Sequence, residues 1–258
     1  MADATSFSVK RKRVIMQELR RLLPSHGGLR KALPFGIAAL DSYLPEGGLA
    51  CGALHEIVPK TEGAIAAAFG FIAAILARWS QAYPLLLIRP VHGLRQYGRL
   101  SGHGLNSLGL DPRRLILVET AHRKETLWAL AEALRSGAPA AVAGMIDKLD
   151  LKTSQKLHLA ASDCGLPLFL LRPAQTLEAS AAATRWRVGT AIAARDRFGL
   201  YARPRWHLQL ERCRNGRPGE WVVEYDHVAH RFSLAAALAD LSFSRSAGDH
   251  CFRQACRS

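Results

Sequence analysis

The feature that most constrains the fold of this chain is a series of continuous apolar runs alternating with helical patterns. Residues 84–89, 115–118, 140–146 and 166–172 are almost unbroken stretches of Leu, Ile, Val, Ala and Phe. A strand with one wet face alternates polar and apolar side chains. A run that is apolar on both faces must be covered on both, as happens when parallel strands are joined by crossover helices. The helices between the runs are legible. Residues 124–135 place Leu127, Leu130, Ala131 and Leu134 on one stripe, with Gly137 to end it. Asp150 can cap a helix that reaches Cys164, with Gly165 behind it. An earlier strand over 53–58 leads into a long helix over 63–80. The expectation is an α/β core: a mostly parallel sheet with helices on both faces.

After Pro173 the pattern changes. Residues 206–212 and 221–225 alternate, and the Arg214-Asn-Gly-Arg-Pro-Gly219 link between them has the chemistry of a hairpin turn, so an antiparallel extension of the sheet is expected. In front of the core, residues 9–23 read as a basic amphipathic helix. Ile15, Leu19, Leu22 and Leu23 share one face, while Lys10, Arg11, Arg13, Arg20 and Arg21 lie mostly on the other. A helix of this length is marginal alone in water, so the apolar stripe is read as a docking element, for its own core or for a partner. The chain divides into 1–28 (helix and Gly-rich linker), 29–241 (the α/β domain) and 242–258, a Ser/Arg-rich stretch read as a flexible tail. There is no internal repeat.

Charge narrows the partners. Thirty-five Lys and Arg against 21 Asp and Glu give a net +14 and a pI near 10.2, a balance that favours contact with a polyanion such as DNA. The five cysteines at 51, 164, 213, 251 and 256 are scattered, odd in number and without a C-x-x-C pair, which suits a reducing compartment and hence the cytoplasm. The most apolar stretch, residues 63–76, is shorter than the roughly 20 residues that a membrane span requires, so no membrane association is expected. The ten histidines show no metal-ligand spacing, and no G-x-S-x-G or Cys/His catalytic context appears. Neither metal nor cofactor is expected.

Residues 47–57 (GGLACGALHEI) resemble the approach to the phosphate loop of RecA-family ATPases, where a Gly-Gly-Leu turn and a strand ending in Glu-Ile precede G-x-x-x-x-G-K-[ST]. Such a loop needs glycines so that backbone N–H groups can close round the phosphates. It also needs Lys to neutralise them and Ser or Thr to hold magnesium. Here it reads Pro59, Lys60, Thr61, Glu62, Gly63, Ala64, Ile65 and is one residue short. With Gly63 as the second glycine, Ala64 stands for the Lys and Ile65 for the Ser or Thr. Lys60 points from the loop rather than from the first helical turn, and Glu62 puts a negative charge where phosphate would sit. Residues 105–115 and 132–137 resemble the RecA segments before the third and the Walker B strands. On that register the Walker B Asp falls on Met145, with Asp147 displaced, and the catalytic Glu falls on about Val91. The resemblance therefore implies that nucleotide hydrolysis is lost.

The whole layout resembles the ImuA family, the RecA-like members of the bacterial inducible-mutagenesis cassette. The basic N-terminal helix, Pro34-Phe-Gly-Ile37, Leu40-Asp41, Gly47-Gly-Leu49, Asp147-Lys-Leu-Asp150, Thr184-Arg-Trp-Arg-Val188 and Pro204-Arg-Trp206 carry it in order over roughly residues 6–235. The resemblance implies a non-enzymatic accessory subunit of a damage-induced, error-prone translesion complex. The implied partners are ImuB, a Y-family-like polymerase without catalysis, and an error-prone C-family DNA polymerase, with RecA and DNA as further contacts. An active RecA-type DNA-dependent ATPase and a cell-division inhibitor of the SulA kind are the alternatives. Finally, Arg185, Arg187, Arg205, Arg212, Arg214 and Arg217 lie among Trp186, Trp206 and Trp221. Such sets can hold phosphates beside stacked bases; they can equally be core tryptophans flanked by solvated arginines.

Overall fold

The computed structural model describes residues 32–79, 83–91, 100–193 and 203–235. The basic helix, its apolar stripe Ile15, Leu19, Leu22 and Leu23, and the C-terminal tail lie outside the described residues. Two short strands, β1 (Ala32–Leu33) and β2 (Leu49–Ala50), pair antiparallel. Between them a single helical turn, α1 (Ala38–Asp41), is set by Asp41. Its carboxylate accepts the N–H groups of Phe35, Gly36 and Ile37 at 2.7, 2.9 and 3.0 Å.

The core begins with β3 (Leu54–Pro59), α2 (Ile65–Ala77) and β4 (Leu85–Pro90), followed by the short α3 (Gly102–Ser107). Then come β5 (Leu115–Thr120), α4 (Arg123–Ser136), β6 (Ala141–Met145), α5 (Leu151–Cys164) and β7 (Leu168–Leu171). The last four strands are β8 (Thr184–Ala191), β9 (Arg205–Cys213), β10 (Gly219–Asp226) and β11 (Arg231–Leu234). They form one nine-stranded sheet in the order β11-β10-β9-β8-β3-β7-β6-β4-β5. From β8 to β5 every neighbouring pair is parallel, and from β8 to β11 every pair is antiparallel. The expected fold class holds.

The helix ends legible in the sequence are formed as expected. The Asp150 carboxylate accepts the Thr153 N–H at 3.0 Å to start α5, and Gly137 and Gly165 end α4 and α5 in left-handed conformations. Strand alternation splits the core in two. On one face α2 packs Phe71, Ile72 and Ile75 against Leu85, Leu87, Phe169, Leu171, Trp186 and Val188. On the other, Leu130 and Leu134 of α4 and Leu157 and Ala161 of α5 cover Leu54, Ile88, Val142, Leu168 and Leu170. Gly144 is required here, because a Cβ on it would come within 2.7 Å of the Leu130 side chain.

Besides the short pair β1 and β2, two strands of the large sheet go beyond the sequence expectation. β8 lies where the sequence shows a basic, aromatic motif, and β11 has no counterpart among the expected elements. In β8 the alternation is plain once its partners are known: Thr184, Trp186 and Val188 are buried, while Arg185 and Arg187 point to the opposite face. The long helix expected over 63–80 instead begins with a 3-10 turn at Glu62–Ala64 and continues as α2. Among the described residues no helix is long and apolar enough to cross a membrane.

Candidate functional site

In an open parallel sheet a ligand sits outside the carboxyl ends of the strands, where successive connections leave for opposite faces. That point here lies between β3, whose chain departs to the α2 face, and β7, whose following segment crosses the α5 face. The loop over 59–65 and Arg172 flank it.

The backbone of the loop over 59–65 is defined by its φ angles and hydrogen bonds. A backbone nest needs alternating right- and left-handed residues to turn successive N–H groups inward. No residue from 59 to 65 has a positive φ. Gly63 has an ordinary φ and open space where a Cβ would stand, its closest neighbour being the Thr61 hydroxyl at 3.9 Å. The Lys60 N–H donates to the Val188 carbonyl at 2.7 Å, which holds the loop onto β8. The Lys60 side chain then runs over Gly189, close enough that a Cβ there would meet its Cβ and Cδ at 3.2 Å. Ala64, at the position of the phosphate lysine, is buried, and Ile65 is half-buried. Val91 follows β4 with its N–H on the Thr120 carbonyl at 2.9 Å, and Met145 is buried in the core. Asp147 is exposed, its carboxylate accepting the neighbouring Lys148 N–H at 2.7 Å.

Arg172, at this end of β7, is paired with carboxylates. Arg172 is 1% exposed, its Nη2 donating to Glu178 at 2.9 Å and its Nε standing 4.0 Å from Glu56. Glu56, wholly buried in β3, accepts from Arg185 Nε and from the Ser180 hydroxyl, each at 2.8 Å. The cluster fastens the 173–183 segment over the sheet.

His55, next to Glu56 but on the opposite face, is held neutral. Trp186 Nε1–H donates to the Thr184 hydroxyl at 3.0 Å, which donates to His55 Nδ1 at 2.8 Å, and His55 Nε2–H donates to the Ala50 carbonyl at 2.9 Å. With both nitrogens occupied and no exposure, burial pushes its pKa down to about 4. Sequence reasoning missed His55 and Glu56. The signal for them is two polar residues side by side in a strand apolar at its other positions.

The six arginines of the sequence reading do not form one set: three are paired with carboxylates and three are not. Arg185 pairs with Glu56, Arg187 with Glu211, and Arg205 with Glu224 at 2.9 Å. Arg203 joins them by pairing with Glu224 and Asp226 at 3.3 and 2.9 Å. On the face of β8, β9 and β10 opposite Trp186 and Trp206, these arginines are thus compensated by carboxylates, mostly on neighbouring strands. Arg214 and Arg217 lie in the β9–β10 turn beside the amino end of β3, and Arg212, near the end of β9, faces Arg185 across the strands, both side chains reaching Ser180. None of the described cysteines (Cys51, Cys164 and Cys213) is in a disulfide. Among the described residues no group of three or more His, Cys, Asp or Glu could hold a metal ion.

Comparison with characterised proteins settles the lineage. Protein ImuA of Caulobacter vibrioides is 33% identical over 229 residues, covering 81% of this chain and 90% of the relative, and the same figures hold in two strains. The chain belongs to the ImuA family. No protein-family model matches it. Membership ties the chain to the ImuA/ImuB mutagenesis cassette and its response to DNA damage.

Proposed function

We propose that this protein is a non-enzymatic accessory subunit of an error-prone translesion-synthesis complex, acting through surfaces and not through a reaction centre. One observation carries the reading. The loop at the switch point offers a buried alanine where a phosphate lysine would reach, has no left-handed residue, and lays its lysine on Gly189. Phosphoryl transfer needs that lysine, a hydroxyl and an acid for the metal, and a base or water-positioning residue; Ala64, Ile65, Met145 and Val91 stand in those places. The remaining function is assembly: bridging an ImuB-type protein to a C-family polymerase, with RecA and DNA as further contacts. The apolar stripe of Ile15, Leu19, Leu22 and Leu23 is the docking element in this reading.

The test is co-purification of the full chain with the ImuB-type and C-family polymerase products of its own cassette. Capture of both, unaffected by added ATP or its depletion, supports the reading. Failure of the chain to retain either one contradicts it.

A further inference from the structure

Three arginines are anchored without being neutralised. Among the described residues Arg212, Arg214 and Arg217 have no carboxylate within ion-pair distance, whereas Arg185, Arg187, Arg203 and Arg205 all have one. Each of the three has a neutral group as a polar or aromatic neighbour. Arg212 Nη1 donates to the Ser180 carbonyl at 2.6 Å, and Arg214 Nη1 lies 3.3 Å from His158 Nε2. Arg217 lies over the Tyr43 ring, 4.4 Å from its centroid. A guanidinium has five N–H donors, so most remain available and the full charge stays.

The turn that carries Arg214 and Arg217, just after Arg212 in β9, is tied down by hydrogen bonds and close packing. The Arg214 N–H donates to the Ala183 carbonyl at 2.7 Å and the Arg217 N–H to the Tyr43 carbonyl at 3.1 Å. Asn215 takes the left-handed conformation at φ 61°. Gly216 packs so closely that a Cβ would meet Cys213 Sγ at 2.4 Å and the Tyr43 carbonyl at 2.5 Å. Tyr43 is braced edge-on by Trp221, with ring centroids 5.0 Å apart.

We propose that this turn, at the amino end of the sheet and away from the loop over 59–65, binds the phosphodiester backbone of DNA. The proposal rests on the DNA-handling role above and says which surface serves it. Planar guanidinium forks held in place match phosphate oxygens in pairs. A protein interface needs an apolar centre, and from residue 212 to 219 no large apolar side chain is exposed. Tyr43 and Trp221 are committed to Arg217 and to each other, so bases have no bare ring on which to stack. Recognition is therefore of backbone alone, indifferent to sequence.

The experiment is fluorescence anisotropy of labelled single-stranded oligonucleotides with the full chain over a range of salt. Arg212→Gln/Arg214→Gln/Arg217→Gln should reduce the slope of log affinity against log salt by about 2, at roughly 0.7 for each phosphate of the single strand that is no longer neutralised. Lys124→Gln/Lys152→Gln/Lys156→Gln, which removes equal charge from α4 and α5, should leave the slope unchanged. Random and fixed sequences should bind alike. Melting curves check folding, and Arg214→Gln/Arg217→Gln, which keeps the hydrogen bond from Arg212 to Ser180, should still lose about 1.4 of slope. An unchanged slope in a folded variant overturns the proposal, as does an equal loss in the lysine control or absence of binding by the unaltered chain. So does a turn variant that keeps its DNA slope but loses an acidic protein partner. Co-purification with the cassette partners, run on the same variants, should be retained; its failure in the unaltered chain would sink the bridging role alone.

Discussion

Lys60 lies across Gly189: the aliphatic stem of the only lysine in the loop after β3 packs on the backbone of β8, where a Cβ on Gly189 would meet it at 3.2 Å, tighter than ordinary contact. In the proposed reading, lysine position and loop length are separate departures from a phosphate loop. Restoring the side chains by Ala64→Lys with Ile65→Thr should therefore give no nucleotide turnover, because the loop stays one residue short and lacks a nest. Magnesium-stimulated hydrolysis by the double variant would show that the backbone is competent as it stands.

Much of the parallel core is readable because burial on both faces leaves uninterrupted apolar runs, and because Asp150, Gly137 and Gly165 mark helix ends locally. β8 is not readable as a strand because its stabilising partners lie far away in sequence. Arg185 meets Glu56 across 129 positions, and Trp186 donates to Thr184, which in turn holds His55. The same long-range pairing explains the arginines. Sequence groups Arg185, Arg187 and Arg205 with Arg212, Arg214 and Arg217 by composition, whereas carboxylates distant in sequence pair only the first three.

The buried carboxylate of Glu56 should be costly to remove. Glu56→Ala leaves Arg172 and part of Arg185 without their counter-charge inside the protein, and breaking a buried pair costs about 3–5 kcal/mol. Urea unfolding should show that loss. The double variant Glu56→Ala/Arg185→Met should recover part of it; equal destabilisation of the two would rule out coupling between these groups.

Acid should expose His55. Its folded pKa of about 4 lies below the ordinary value of 6.5, so the unfolded chain binds the extra proton between those two values. Its contribution is fully present above pH 6.5 and is lost as the pH falls towards 4, by about 3 kcal/mol in all. Protonation also breaks the Thr184 hydroxyl's bond to Nδ1. Unfolding free energy measured between pH 7 and pH 4 should fall more steeply than in His55→Gln. Identical slopes would remove His55 as a source of acid sensitivity.

The stripe at Ile15, Leu19, Leu22 and Leu23 lies outside the described residues, and its role is tested by function. Leu19→Asp/Leu22→Asp should abolish capture of the ImuB-type partner while leaving the melting temperature nearly unchanged, because burying a carboxylate at an apolar contact costs several kcal/mol. A large drop in melting temperature, with capture abolished only alongside folding, would place the stripe on the protein's own core.

Whether the chain has a reaction centre is measured directly by ATP turnover, with Gly63 as the internal control. In a working phosphate loop the second glycine is needed for close backbone approach, whereas here it has an ordinary φ and open space. Gly63→Ala should therefore leave the melting temperature unchanged or stabilise by up to about 1 kcal/mol. The purified full chain, with magnesium and with or without single-stranded DNA, should release phosphate no faster than buffer, and the Gly63 variant should behave identically. Turnover above background that requires magnesium, rises with DNA and disappears in the Gly63 variant would contradict a function without a reaction centre.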